Sequence, residues 1–321
     1  MSSFLFKLCF TAPVHFGSSD AALSLYSSGE NICADTLFSA LCHTALRADG
    51  QQGLDRLLDA VRRGELRLSD TMPWRGDSLY LPKPFFHAES SLDASASLRK
   101  AIKKLRWISI DEFEAFSESL RGGRQYIPED EISFGEHSAR TQAAITDGAG
   151  ATPYQVGAFQ FYDDCGLWFV CCCPEEDAEY YRRLVTLLGV GGIGGKVSTG
   201  CGSFEIDDFI YLDEPFDSQT AWLCSALKAE SSRYLLLTTS LPSDTELDAV
   251  LDGAFCQLVR RGGFVQSESY ADEPQKKDTQ YFLAAGSVLP RRFDGELWAV
   301  GSKGRHTVYR YSSPVLLGVS L

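Results

Sequence analysis

The chain contains no CxxC pair, although it has ten cysteines in 321 residues. Three are adjacent, Cys171-Cys172-Cys173, and the rest are dispersed. This spacing gives neither the paired thiolates of a zinc ribbon nor the framework of a small disulfide scaffold. Buried, reduced thiols in a cytoplasmic protein are the expected state. The longest apolar run, residues 167–173, falls far short of the ~20 residues a membrane-spanning helix needs. Lys7 interrupts Phe4-Leu5-Phe6 and no small-residue cleavage site follows, so a signal peptide is not expected. Positive charge is in the minority: 30 Lys and Arg stand against 43 Asp and Glu, a net charge of −13. Binding of nucleic acid by bulk charge is thereby excluded, since counterion release needs a cationic surface. A local groove is not, because Arg99, Lys100, Lys103, Lys104 and Arg106 fall together, as do Arg291, Arg292, Lys303, Arg305 and Arg310.

What is present is the patterning of an α+β protein of about two domains, at ~150 residues each. Residues 4–12 read as a strand closed by Pro13. Asp35 or Thr36 can cap a helix on which Leu37, Phe38, Leu41, Ala45 and Leu46 recur at helical spacing. A second short helix carries Leu54, Leu57, Leu58 and Val61 and stops at Gly64. Strands over 65–68 and 78–81 and a basic helix over 93–105 follow. Residues 121–157, rich in Gly, Ala, Ser and Thr, predict a long exposed excursion. Residues 166–173 form the clearest buried strand, with Trp168 in the core. Pro174 then opens a helix through Tyr180, Leu184, Leu187 and Leu188. A glycine-rich stretch, 189–202, leads into a strand over 203–211. Beyond Pro215 come a strand (233–240), a helix (245–255) and strands over 256–265, 281–288, 297–300 and 307–317. The order fits two α+β halves, each a small sheet with helices on one face.

The glycine-rich stretch is the sharpest local feature. Gly189-x-Gly191-x-x-Gly194 matches the dinucleotide-binding fingerprint in letters, but that motif needs a strand before it and a helix after it. Here the helix comes first. A phosphate-binding P-loop fails on Val190 and on Val197 after Lys196. There remains a loop with little side-chain bulk, one cation at Lys196, and hydroxyls at Ser198 and Thr199. Such a loop can lie against a sugar–phosphate backbone.

A helix, then Gly191-Gly-Ile-Gly-Gly-Lys196-x-Ser198-x-Gly200-x-Gly202, then a strand resembles the signature of the RAMP proteins of CRISPR systems. Further motifs occur in order: Thr11-Ala-Pro-Val-His-Phe-Gly17, Ala34-Asp-Thr-Leu-Phe-Ser-Ala-Leu-Cys42, Tyr80-Leu-Pro-Lys-Pro84 and Lys103-Lys-Leu-Arg-Trp-Ile108. Arg260-Arg-Gly-Gly-Phe264, Ala285-Gly-Ser287 and His306-Thr-Val-Tyr-Arg-Tyr311 follow in the second half. The set is similar to the subunit of the type III-A (Csm) effector that holds the crRNA 5′ end, and it spans nearly the whole chain. The resemblance implies two ferredoxin-like (RRM-like) domains, 1–212 and 213–321. The first would carry an inserted segment over about 85–160 and the glycine-rich loop. It implies capture of the repeat-derived crRNA 5′ handle, docking to a large polymerase-like subunit and a backbone RAMP subunit, no catalysis and no cofactor.

The RNA-contacting residues expected on this basis fall into two groups. Gly194, Gly195, Lys196 and Ser198 would touch the backbone, the glycines by letting phosphates reach main-chain N–H groups. His15, Phe16, Ser39 and Arg140 would contact bases. The alternative is a metal-independent crRNA-processing endoribonuclease of the same superfamily, with His15 or His43 as general acid/base. No metal-ligand spacing and no Gly-Gly-Asp-Asp motif occurs. In the related backbone subunits an early aspartate serves target cleavage; Asp20 and Asp35 are the early candidates, and Asp35 has the plainer task of capping a helix.

Overall fold

A computed structural model describes residues 1–17, 25–86, 96–128, 132–146, 150–267, 269–301 and 303–321. Asp20 lies outside the described residues. The first half runs β1 (Ser2–Phe10), α1 (Ala34–Arg62), β2 (Arg67–Leu68), β3 (Met72–Arg75), β4 (Ser78–Pro82), α2 (Ala96–Lys104), β5 (Trp107–Ser109) and α3 (Ile110–Leu120). It continues with β6 (Gly135–Thr146), β7 (Gly150–Phe161), β8 (Cys165–Cys173), α4 (Ala178–Gly191) and β9 (Phe204–Tyr211). The second half is α5 (Ser218–Lys228), β10 (Arg233–Leu236), α6 (Leu247–Leu251), β11 (Leu258–Arg261) and β12 (Gln280–Leu283). β13 (Val288–Leu289), β14 (Trp298–Gly301), β15 (Val308–Arg310) and β16 (Leu316–Val319) complete it.

The main sheet has the order β5-β4-β3-β8-β1-β9, with β2 also on β8, and its pairings are antiparallel. β8 is buried along its whole length because both of its faces are apolar. Leu167, Phe169, Cys171 and Cys173 face the core under α1 and α4. Trp168, Val170 and Cys172 face a second core, shared with α3, α5 and the strands β10 and β16. The sheet is therefore covered on both faces, where helices on one face were expected. Phe6 of β1 stacks on Phe169 at 4.8 Å, a pair worth roughly 1 kcal/mol beyond its burial.

Two further expectations are corrected. The excursion at 121–157 contains a two-stranded ribbon, β6–β7, in register from Gly135↔Phe161 to Thr146↔Gly150. Asp35 and Thr36 do not cap α1: its N-cap is Cys33, and the Ala34 N–H donates instead to Asp70 Oδ1 at 2.8 Å. The two helices expected over this stretch are both present, joined at Gly50, whose φ of 67° lies outside the helical range and kinks α1.

The halves join through hydrogen bonds beyond β2, one main-chain and one from a threonine hydroxyl. Asp70 N–H donates to Leu237 O at 2.9 Å and Thr238 Oγ1 to Leu68 O at 2.9 Å. The smaller sheet, β13-β10-β16, continues from that seam, and β11–β12 and β14–β15 are separate hairpin pairs.

Candidate nucleic-acid interface

Three segments far apart in sequence meet beside the end of β1. The stretch after β1 bridges to the β7 strand, with mutual N–H···O bonds between Val14 and Phe159 at 2.8 and 2.9 Å. The glycine-rich loop folds onto the same stretch: Gly202 N–H donates to Pro13 O at 2.9 Å and Gly195 N–H to His15 O at 2.8 Å. His15, Phe16, Gly194 and Gly195 are thus brought together, but His15 and Phe16 are buried. The His15 ring has Nδ1 2.6 Å from Gly157 O; a carbonyl only accepts, so Nδ1 carries the proton. The Phe16 ring meets Phe10 edge-on at 6.0 Å.

The glycines answer to this packing. A Cβ on Gly194, whose φ is +99°, would stand 2.8 Å from His15 O, and one on Gly195 would stand 2.6 Å from His15 Cδ2. The Gly195 N–H is already used by His15, which differs from the expectation that it faces a phosphate. The loop is also shorter than its run of glycines, because α4 continues through Gly189 to Gly191.

Lys196 sits next in the loop with φ of 62°, the only non-glycine residue at positive φ among the described residues. Its Nζ is 3.5 Å from Tyr154 Oη and 5.1 Å from that ring's centroid. Tyr154 in turn donates to Gln142 Oε1 at 2.8 Å across the ribbon. Arg140, two residues from Gln142 on β6, is on the same ribbon face and exposed, as is Ser198 in the turn Val197–Thr199. Lys196, Tyr154, Gln142 and Arg140 therefore form a polar edge where ribbon and loop meet. Neither Tyr154 nor Gln142 carries a motif signal in the sequence; only the alternation along β7 points to Tyr154.

Ser39 belongs to a different place. On α1 it stands one turn from Asp35 and one turn from His43, on the side where the second half packs. Asp35 is held there by Arg261, with Nε to Oδ2 at 3.0 Å and Nη2 to Oδ1 at 2.5 Å. His43 is pushed below the ordinary histidine range by burial first and then by Arg47 and Lys277, so it is predominantly neutral at neutral pH. Asp70, wholly buried at the seam, accepts from Ala34 N–H, Thr239 N–H and Thr239 Oγ1 at 2.8, 2.8 and 2.6 Å. Burial still raises its carboxyl to about 6.

Among the described residues no group of three His, Cys, Asp or Glu side chains could hold a metal ion, and no helix is long and apolar enough to cross a membrane. Burial pushes the Cys33 and Cys42 thiols up to about 12, away from thiolate chemistry.

Residues 229–319 match the family model described as the CRISPR Csm4 C-terminal domain. The chain is 37% identical over 320 residues to the CRISPR system Cms protein Csm4 of Mycobacterium tuberculosis, covering 99% of this chain and 98% of that one. It is 27% identical over 309 residues to the Streptococcus thermophilus protein of the same description, covering 94% of each. In fold it resembles a chain of the Csm1-Csm4 cassette crystallised with cA4 (TM-score 0.61, 21% identity, 100% of this chain and 99% of that one). It likewise resembles a chain of the Csm3-Csm4 subcomplex of the type III-A CRISPR-Cas interference complex (TM-score 0.60, 17% identity, 99% of each).

Proposed function

The chain belongs to the Csm4 family, and from that premise we propose that it holds the crRNA 5′ handle through the loop-and-ribbon edge, without cutting RNA. It is a subunit of the type III-A CRISPR effector and bridges the large subunit, Csm1, to the backbone subunit, Csm3. Its place of action is the cytoplasm.

The observation that carries the RNA reading is Lys196. A lysine in the left-handed region costs roughly 1–2 kcal/mol that a glycine would not, in a loop that uses glycine freely. Such strain at an exposed edge is characteristic of a functional position. The ammonium, with Ser198 beside it and Arg140 on the ribbon, contacts phosphates. Gly194 and Gly195 act indirectly, by letting the loop lie on the 13–16 segment. His15 and Phe16 likewise shape the site from beneath, with the open edge left to Lys196, Tyr154 and Arg140.

The surroundings of the two candidate histidines, His15 and His43, support the reading without cleavage. His15 spends Nδ1 on the Gly157 carbonyl. His43 is partly buried on α1 near Arg47 and Lys277, where a developing imidazolium is disfavoured. Among the described residues neither has a carboxylate hydrogen-bonded to its ring to orient it, the arrangement general acid/base catalysis commonly uses.

The two-domain division at about residue 213 is part of this reading. The order β9-β1-β8-β3, with α1 and α4 on one face, is that of a split βαβ unit, and β10 lies between β13 and β16 in the second half. The segment between β4 and β8 is the insertion that carries the ribbon.

The test is equilibrium binding of handle RNA and of a shuffled RNA of the same composition to the full chain, with intact RNA length monitored in the same samples. Tighter binding of the handle with no cleavage supports the reading. Equal binding of both, or turnover lost in His15→Ala or His43→Ala, overturns it.

A further inference from the structure

Arg261, Lys277 and Arg310 converge where the β11–β12 ribbon packs on the first turns of α1. Asp35 is the carboxylate they share. Arg261 takes both its oxygens and also donates to Thr36 Oγ1 at 3.0 Å. Arg310 is 3% exposed; its Nε is 3.7 Å from Asp35 Oδ2, and its Nη1 donates to Asp278 O and Gln280 Oε1 at 3.1 and 2.8 Å. Its Nη2 is buried without a hydrogen-bond partner. The Lys277 main-chain N–H is fixed on Gly263 O at 2.8 Å, but among the described residues its ammonium has no hydrogen bond or ion pair.

The remaining charges leave the imbalance in place. Asp70 is committed to Ala34 and Thr239, and Asp278 is an exposed neighbour of Arg310. His43, neutral at neutral pH, and the Arg47 guanidinium beside it on α1 bring no negative charge to balance the cluster. Buried cations without sufficient counter-charge are costly, and an anion at the mouth of the cluster offsets that cost.

We propose that this seam holds a backbone phosphate of the bound RNA, with Lys277 and the 18%-exposed edge of Arg261 as direct contacts and Arg310 supplying charge from below. The proposal rests on the RNA reading above and extends it some distance from the glycine-rich loop. It also gives Ser39 a place, on the α1 face that borders the seam. RNA is favoured over a carboxylate of a partner protein by what surrounds the cluster. The same ribbon exposes Arg260 opposite Tyr281, and Lys276 lies 5.7 Å from the ring of exposed Phe264. Cations interleaved with exposed aromatic faces are the combination that holds single-stranded nucleic acid.

The experiment measures handle-RNA affinity of the full chain at two salt concentrations for the wild type, Lys277→Gln, Lys277→Arg and, as a comparator at the other site, Lys196→Gln. Melting temperatures establish that each variant folds. Lys277→Gln is expected to bind roughly tenfold more weakly, with the log–log salt slope reduced by about 0.7, and Lys277→Arg to restore both. Weakening by Lys196→Gln with no effect of Lys277→Gln overturns this site and leaves the RNA reading standing. Failure of the wild type to bind overturns both. Lys277→Gln that keeps RNA affinity but loses Csm1 or Csm3 in pull-down assigns the anion to a partner carboxylate and refutes the proposal.

Discussion

Replacing Lys196 by glycine separates the two tasks that its side chain could serve. Removing the left-handed Cβ relieves roughly 1–2 kcal/mol. The added freedom of glycine in the unfolded chain returns about 0.5–1 kcal/mol. Loss of the Tyr154 contact, at 5.1 Å from the ring centroid, returns about 0.5–1 kcal/mol more for a cation at a partly exposed site. The three nearly cancel, so the midpoint of urea unfolding should move little. RNA binding has no such compensation. One lost phosphate contact lowers the salt slope by about 0.7 for a single strand, so the wild-type advantage should shrink roughly 2.5-fold when salt rises fourfold. At low salt the charge-assisted bond itself is worth about 1.5 kcal/mol, or roughly tenfold in affinity. The assay is fluorescence anisotropy with labelled handle RNA at two salt concentrations, beside urea titrations of the same samples. Unchanged affinity and slope in Lys196→Gly would show that the lysine serves only Tyr154, and the argument from its strained backbone would fail.

Gly195→Val should harm RNA binding more than Lys196→Ala and also lower stability by about 1–3 kcal/mol, because its side chain drives the loop off His15, which calorimetry with paired affinity measurements would detect. Asp35→Asn leaves Arg261 and Arg310 without their shared carboxylate, and chemical denaturation should report a loss of about 3–5 kcal/mol. Asp70, raised by burial from 3.8 to about 6, binds its proton more tightly when folded, so its contribution is full below pH 4 and is lost as pH rises through about 6. The stability of the wild type relative to Asp70→Asn should therefore fall by roughly 2 kcal/mol between pH 4 and 7, and a pH-independent difference would contradict it.

Features set by neighbouring residues were legible. The run at 167–173 announces a strand buried on both faces, and the alternation of its cysteines places Cys171 and Cys173 on one side and Cys172 on the other. The glycine-rich stretch is recognisable as a loop between a helix and a strand. What the glycines touch was not legible, because His15 is about 180 residues away and its carbonyl takes the N–H assigned to a phosphate. Asp35 looked like a cap because it opens an apolar helical repeat, yet a partner 226 residues distant claims it. The β6–β7 ribbon was not legible, since its sequence lacks a strand's apolar alternation and its twelve cross-strand pairs are specified only in three dimensions. α5 does carry a local sequence signal, since Asp217 and Thr220 form a reciprocal capping box.

The proposed RNA path follows the edge where the glycine-rich loop meets the β6–β7 ribbon. Photo-cross-linking of a handle RNA carrying photoreactive bases, within the assembled effector and followed by peptide mapping, tests it most directly. Adducts are expected on peptides from residues 135–161 and 192–203, weakened by Lys196→Gly. Adducts confined to other subunits, or found on this chain only around α2 and α3, would contradict it.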